Sequence, residues 1–198
     1  MHPNSDRQRR SLFVFSLKLV AAGLLIALGV RALVAQVYFV PSGSMRPALQ
    51  VGDRVLVEKV SRWWRTPHRG DIVAFDGTDV WDSVADGRLL AKRVIGVAGD
   101  HVVCCDASGR IRVNGRPIAE PYATGPTSSF DVVVPEGRLW LLGDDRAHSQ
   151  DSSSFLRSPA GGSVPVNHVL GRLVAVVWPL DHAGILGQPN TEDPHDAE

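Results

Sequence analysis

The 198-residue chain has room for one membrane segment and one domain with a real core, and its 21 basic residues balance 21 acidic ones. Five of the basic residues (Arg7, Arg9, Arg10, Lys18 and Arg31) precede Ala32 against a single acid, Asp6, which leaves 16 basic and 20 acidic residues beyond. A mildly acidic body on a basic stub disfavours nucleic-acid binding.

Residues 1–11 are polar and basic and are expected to form a short cytoplasmic tail. From Leu12 the sequence turns apolar through Val30; nineteen residues at about 1.5 Å each match a hydrocarbon core of roughly 30 Å. Lys18, near the basic end, can snorkel to the headgroups. The positive-inside rule then places Met1 in the cytoplasm and everything after Ala35 outside, as a single-pass plasma-membrane protein. A cleaved signal peptide is the competing reading. Leu33-Val34-Ala35 is a poor cleavage site for it, because Leu stands where a small residue is wanted. We therefore read a retained anchor over residues 12–35. Tyr38, Phe39, Trp63 and Trp64 suit either the interfacial belt or the core.

Val40-Pro41-Ser42-Gly43-Ser44-Met45-Arg46-Pro47-Ala48-Leu49 follows. The two prolines fix φ and push their predecessors toward extended forms, so both serines lie on a stiff loop, and Gly43 is expected to leave space for another backbone. Such a loop suits a nucleophile beside a bound peptide; Pro, Gly and Ser also make ordinary turns. Beyond it, Arg54–Val60 alternates as a half-buried strand, and Ile72–Phe75 and Leu89–Val97 are further strand candidates. His101–Cys105, a turn over Asp106–Gly109 and Arg110–Val113 predict a hairpin. Phe130–Val134, Arg138–Leu142 and Val169–Trp178 complete a mostly β body over residues 36–181, with no helix of three turns after Ala35. Residues 182–198 are expected to be a disordered polar tail. Cys104 and Cys105 are the only cysteines, and both free thiols and a vicinal disulfide are open to them. No metal site or cofactor is expected.

Strand alternation puts Lys92 on one face with Leu90 and Val94, and Arg93 on the other. An amine among apolar neighbours is penalised in its charged form, and a downward shift of roughly two to three pH units would let it act as a base near neutrality. A lysine at a sheet edge can instead snorkel into water. Gly143 to Ser153 is dense in hydrogen-bonding groups, and His148 with Asp144, Asp145 or Asp151 admits a Ser-His-Asp triad, although no G-x-S-x-G elbow surrounds Ser44.

These clusters, in this order behind an N-terminal anchor, resemble the bacterial type I signal peptidases, membrane-bound Ser/Lys endopeptidases. The resemblance rests on Pro41–Met45 with Pro47 and Leu49, Gly52–Lys59, Gly70–Val73, Lys92–Gly96 with Gly99-Asp100, and Gly143-Asp144 with Arg146, Ser149, Asp151 and Ser152. It implies an antiparallel-sheet catalytic domain with a smaller β region over residues 98–135. It further implies Ser44 as nucleophile, Lys92 as general base, Ser42 Oγ with the Ser44 N–H as oxyanion hole, and Ser149 orienting the Lys92 amine. Asp151, Arg93 and Arg146 would brace the site. The substrate would be a signal-peptide-bearing preprotein held as an extended strand along Leu89–Ala91 and Pro41. Tyr38, Val40, Met45 and Leu49 would line pockets for small side chains, and cleavage would follow Ala-x-Ala. The enzyme would act at the bilayer as a monomer. Two departures stand out: Asp145 replaces a usual Asn or His, and Ser153 replaces a usual Arg, for which Arg157 could substitute. The competing readings are an autoproteolytic Ser/Lys repressor, which the apolar segment opposes, and a non-catalytic, membrane-tethered peptide-binding module.

Overall fold

The computed structural model of the chain describes residues 4–78, 80, 81 and 89–187. Helix α1 spans Asn4–Leu33, so helix begins within the polar stretch that composition alone marks as a tail. Within it, Leu12–Gly29 has a mean hydropathy of 2.3 and none of it is buried. This stretch is long and apolar enough to cross a membrane.

Strand β1 (Ala35–Phe39) leaves the helix and pairs antiparallel with β2 (Arg54–Glu58), with Ala35 opposite Glu58 and Phe39 opposite Arg54. The sequence reading ended the anchor at residue 35 and assigned no strand to the apolar residues that follow, because an apolar stretch with two aromatic residues carries no sign of where a helix ends and a strand begins. A hydrogen bond from Lys59 N–H to the Val34 carbonyl (2.8 Å) ties the exit of α1 to the end of β2. In β2 the alternation is plain: Val55 and Val57 are buried and Arg54 is exposed.

Strands β3 (Ile72–Asp76) and β4 (Leu89–Gly96) follow. A second group comprises β5 (His101–Cys104), β6 (Arg112–Val113), β7 (Arg116–Pro117) and β8 (Phe130–Val133). The chain then returns through β9 (Arg138–Leu142), β10 (Val164–Pro165), β11 (Val169–Trp178) and β12 (Gly184–Ile185). The main antiparallel sheet has the order β1-β2-β11-β3-β4-β9-β10, with β12 on β11; the smaller sheet has the order β7-β6-β5-β8. The protein is mostly β with one N-terminal apolar helix. The β5–β6 pair is the anticipated hairpin, its turn held by Asp106 Oδ1 accepting from the N–H groups of Ser108 and Arg110. Cys104 and Cys105 are joined to each other.

Three apolar cores hold the sheets. One, under the serine loop, gathers Val40, Met45, Leu49, Val55, Val57 and Leu173. The opposite face packs Val73, Phe75, Trp81, Val94, Leu139 and Leu141, with the Trp81 ring edge-on to Phe75 and stacked on Phe155. The third unites Ile95, Trp140 and Leu142 of the main sheet with Val102, Ile111, Val113 and Phe130 of the smaller one, so the smaller sheet shares its core with the larger. Two-residue β12 and the packing of Leu186 against the first core extend ordered structure to Gly187, beyond the residue at which sequence composition turns polar. Residues 188–198 lie outside the described part. Phe39, Trp63 and Trp64 are exposed, whereas Tyr38 is half-buried against the first core.

Candidate active site

The serine loop begins where β1 stops. Val40 is fixed at both backbone groups, donating to Asp53 C=O (2.9 Å) and accepting from Gly52 N–H (3.0 Å). The loop is then closed by Arg46 N–H to Gly43 C=O and Leu49 N–H to Met45 C=O, with Met45 and Leu49 buried beneath it. Ser42 is exposed and Ser44 half-buried. Beside Gly43, where the sequence suggested room for another backbone, a Cβ would meet the end of the exposed Arg46 side chain at 3.2 Å.

Ser42 and Ser44 line a narrow cleft of about 60 Å³ with Leu89, Leu90 and Ala91 on the opposite wall. Of the anticipated pocket residues, Tyr38, Val40, Pro41, Met45, Leu89 and Ala91 line it; Leu49 does not, because it is buried behind Met45. Ala74, Val55, Val57 and Leu173 form the floor, which sequence reasoning missed because their strand positions look like ordinary core. Pairing of β4 with β9 begins only at Arg93, so one edge of Leu89–Lys92 has no ladder partner among the described residues. An extended peptide can add there as a strand.

Lys92 is 3% exposed, which removes the snorkelling alternative. Its Nζ donates to Ser149 Oγ at 2.9 Å. Burial pulls the amine down from 10.5 to about 8, while the charges of Asp151 and Asp144 push the other way. Ser149 reaches Ser44 across Gly143: a Cβ on Gly143 would collide with the Ser149 hydroxyl and come within 2.5 Å of the Ser44 carbonyl oxygen. Only glycine lets these three segments approach so closely. Asp145 N–H donates to that same Ser44 carbonyl (3.1 Å), joining the serine loop to the loop that carries Ser149.

The charged residues around the site pair differently from the sequence expectation. Arg93 forms a buried two-pronged pair with Asp144 (Nε–Oδ1 2.8 Å, NH2–Oδ2 2.6 Å) and donates to Gly70 C=O (2.9 Å). Arg146 pairs with Glu120 and donates to Gly143 C=O (2.8 Å). Asp151 bonds neither arginine. Its carboxylate accepts from Gly143 N–H (3.0 Å), Ser153 N–H (3.1 Å) and Ser153 Oγ (2.7 Å), and caps the short turn of helix at Ser152–Phe155. The Ser153 hydroxyl thus bonds Asp151 itself, and Arg157 is exposed. Glu120 and Asp144 were not read as braces, because residues far apart in sequence leave no spacing that would pair them. His148 is 79% exposed on its side chain and bonds Asp145 (2.9 Å), so no Ser-His-Asp triad forms with Ser44.

Ser44 thus lies on one wall of the cleft, and the buried Lys92 amine is held by Ser149 beside Gly143. The family model described as "Signal peptidase, peptidase S26" matches residues 14–178. The chain belongs to that family. Signal peptidase I of Leptolyngbya laminosa is 36% identical over 177 residues, covering 87% of this chain and 83% of that one. Signal peptidase I of Mycobacterium tuberculosis is 34% identical over 207 residues, covering 80% and 70% of the two chains. A crystal structure of a signal peptidase I from Enterococcus faecalis is 29% identical with a TM-score of 0.43, covering 55% of this chain and 97% of that one.

Proposed function

We propose that the chain is a membrane-anchored serine endopeptidase that removes signal peptides from exported preproteins, with Ser44 as nucleophile and Lys92 as general base. The observation that carries this is the buried Lys92 amine, set against Ser149 and one glycine away from Ser44. An amine brought down to about 8 is roughly one-tenth neutral at pH 7, against less than about one-thousandth at its ordinary value, and that fraction can accept a proton. Ser44 Oγ attacks the scissile carbonyl carbon and its proton passes to Lys92. The carbonyl electrons move onto oxygen, where the Ser44 N–H and Ser42 Oγ donate to the oxyanion; loss of one such donor typically costs about 10²- to 10³-fold in rate. The oxyanion collapses, the C–N bond breaks, and Lys92 returns the proton to the leaving amine. Lys92 then takes a proton from a water that attacks the ester carbonyl carbon; the bond from that carbon to Ser44 Oγ breaks and Lys92 gives the proton to Oγ, freeing Ser44.

Ser149 holds the amine in line, Asp151 fixes Gly143, and the Arg93 and Arg146 pairs keep the loop in place. The substrate lies as a strand along the free edge of Leu89–Ala91, and the small cleft volume admits side chains such as Ala, consistent with cutting after Ala-x-Ala. Helix α1 anchors the enzyme with its basic end in the cytoplasm and the body outside, acting as a monomer on preproteins in the same bilayer.

The test is cleavage of a synthetic preprotein with an Ala-x-Ala site by wild type, Ser44→Ala and Lys92→Ala. Product cut after the second Ala by wild type and by neither variant is expected. Binding without cleavage by wild type would favour a tethered peptide-binding module, and equal cleavage by all three would reject the dyad.

A further inference from the structure

The segment Glu120–Thr127 links β7 to β8 of the smaller sheet and carries no residue that takes part in the proposed reaction, yet it is stitched to the Ser149 loop. Thr124 N–H donates to Asp144 C=O and Arg146 N–H to Thr124 C=O, both at 2.8 Å, in a parallel bridge with Asp145. Thr127 Oγ1 accepts from Arg146 NH1 at 3.1 Å, and Glu120 receives the Arg146 fork. Inside this clasp the Tyr122 hydroxyl donates to Glu120 Oε1 (3.2 Å), and the Arg93 guanidinium carbon lies 3.9 Å from the centre of the Tyr122 ring.

We propose that Tyr122 is a positioning residue for the reaction: its ring covers a face of the Arg93 guanidinium and so fixes Asp144 and the loop that presents Ser149 to Lys92. The proposal rests on the Ser44/Lys92 reading above. The edges of the Arg93 fork are engaged by Asp144 and Gly70, which leaves its faces as the route for water. An aromatic face over a guanidinium attracts it through the ring quadrupole and excludes water at once. Exclusion strengthens the Arg93–Asp144 pair, because the local dielectric stays low. The hydroxyl tether to Glu120 keeps the ring at its angle, and burial pushes the Tyr122 phenol up, so the group is a neutral donor throughout the working range.

The consequence reaches Lys92 in two ways. Arg93 is its neighbour on β4, and Asp144 lies between Gly143 and Asp145, both of which hold the Ser44 and Ser149 segments together. Asp151 and Asp144 are the charges that act on Lys92; Arg93, Arg146, Glu120 and Tyr122 surround Asp144. Without the ring, water enters beside this set, the loop loosens, and the amine regains solvation that favours its protonated form.

The experiment compares full-length wild type with Tyr122→Leu and Tyr122→Phe on a preprotein substrate in lipid, with Lys92→Ala in parallel. Tyr122→Leu is expected to lower kcat by about 10- to 100-fold with KM within about twofold, as misplacement of a reacting group does. The acid limb of its pH–rate profile should move upward by about half a pH unit. Tyr122→Phe keeps the ring and should recover most of kcat and the wild-type limb. A folded Tyr122→Leu with wild-type kcat and limb would overturn the proposal. So would a kcat loss matched by a loss of titratable active sites with the limb unmoved, since that is a merely structural role. Tyr122→Phe as impaired as Tyr122→Leu would assign the effect to the hydroxyl and reject the ring. Cleavage by Lys92→Ala would remove the dyad beneath the proposal, whatever Tyr122 does.

Discussion

A lysine that works as a base has to be held where its charge is unwelcome, and the cost falls on stability. Lys92 drops from 10.5 to about 8 in the folded chain, chiefly through burial. Between those values the unfolded chain holds a proton that the folded chain does not, so stability rises with pH from about 8 to 10.5. Below 8 the full cost remains, on the order of 3 kcal/mol. Lys92→Met should therefore abolish cleavage and raise stability by about 1–3 kcal/mol at pH 7, with the gain shrinking above pH 10. Urea melts at the two pH values check this, and no gain at pH 7 would show that the amine is not desolvated. Ser44 and Lys92 could be singled out through the ordered motifs of the family resemblance, because locally a proline-bounded loop does not separate Ser42 from Ser44 and a lysine in an apolar strand also suits a sheet edge. The role of Gly143 could not, since it is a close approach between segments about a hundred residues apart in sequence. Ser153 looked like a loss, and only the geometry shows its hydroxyl on Asp151.

Among the elements, the turn from β4 into β5 decides how the two sheets meet. Asp100 sits there, almost fully buried, accepting from Arg69 (Nε 2.8 Å, NH2 2.6 Å), Val97 N–H (2.8 Å) and Asn114 Nδ2 (2.9 Å). Burial alone would push its carboxyl up, but these bonds outweigh it and hold the group below its usual 3.8. A carboxylate lowered on folding stabilises the fold above its unfolded value and loses that contribution as the pH falls through the folded one. Asp100→Asn should cost about 1–3 kcal/mol at pH 7, from donors left unpaired, and less below pH 3. Thermal melts at both pH values measure the difference; an equal cost at both would mean the charge is irrelevant. Most strands were legible, because alternation of buried and exposed residues in β2, or an apolar run in β4 and β9, is itself the imprint of a sheet. Strand β1 was not, since five residues beside a long apolar helix share its composition and only pairing with β2 defines them. The two-residue strands β7, β10 and β12 are likewise made by their partners.

At the scale of the whole molecule, an exposed apolar helix is attached to a body whose cores are complete without it. The residues of the three cores all lie beyond Leu33. Removal of residues 1–33 should leave a folded body that cleaves a short soluble peptide at close to the wild-type rate. On a preprotein embedded in vesicles it should lose about 10²-fold or more, because the two partners no longer share a surface. Equal losses on both substrates would mean that the helix supports the site itself. The bond from Lys59 N–H to the Val34 carbonyl bears on the same question from another side. It ties the exit of the helix to the sheet, and the five residues of β1 then carry the chain from that joint toward Ser44 over about 17 Å. With α1 in the bilayer, those five rungs are a measuring stick. On the proposed function, a substrate whose own apolar span ends at the same level would have to bridge the distance from that joint to the serine in extended form, up to about five residues, before its scissile bond meets Ser44. On that same function, the place of the cut would then be set by altitude above the membrane as well as by the side chains that fit the cleft.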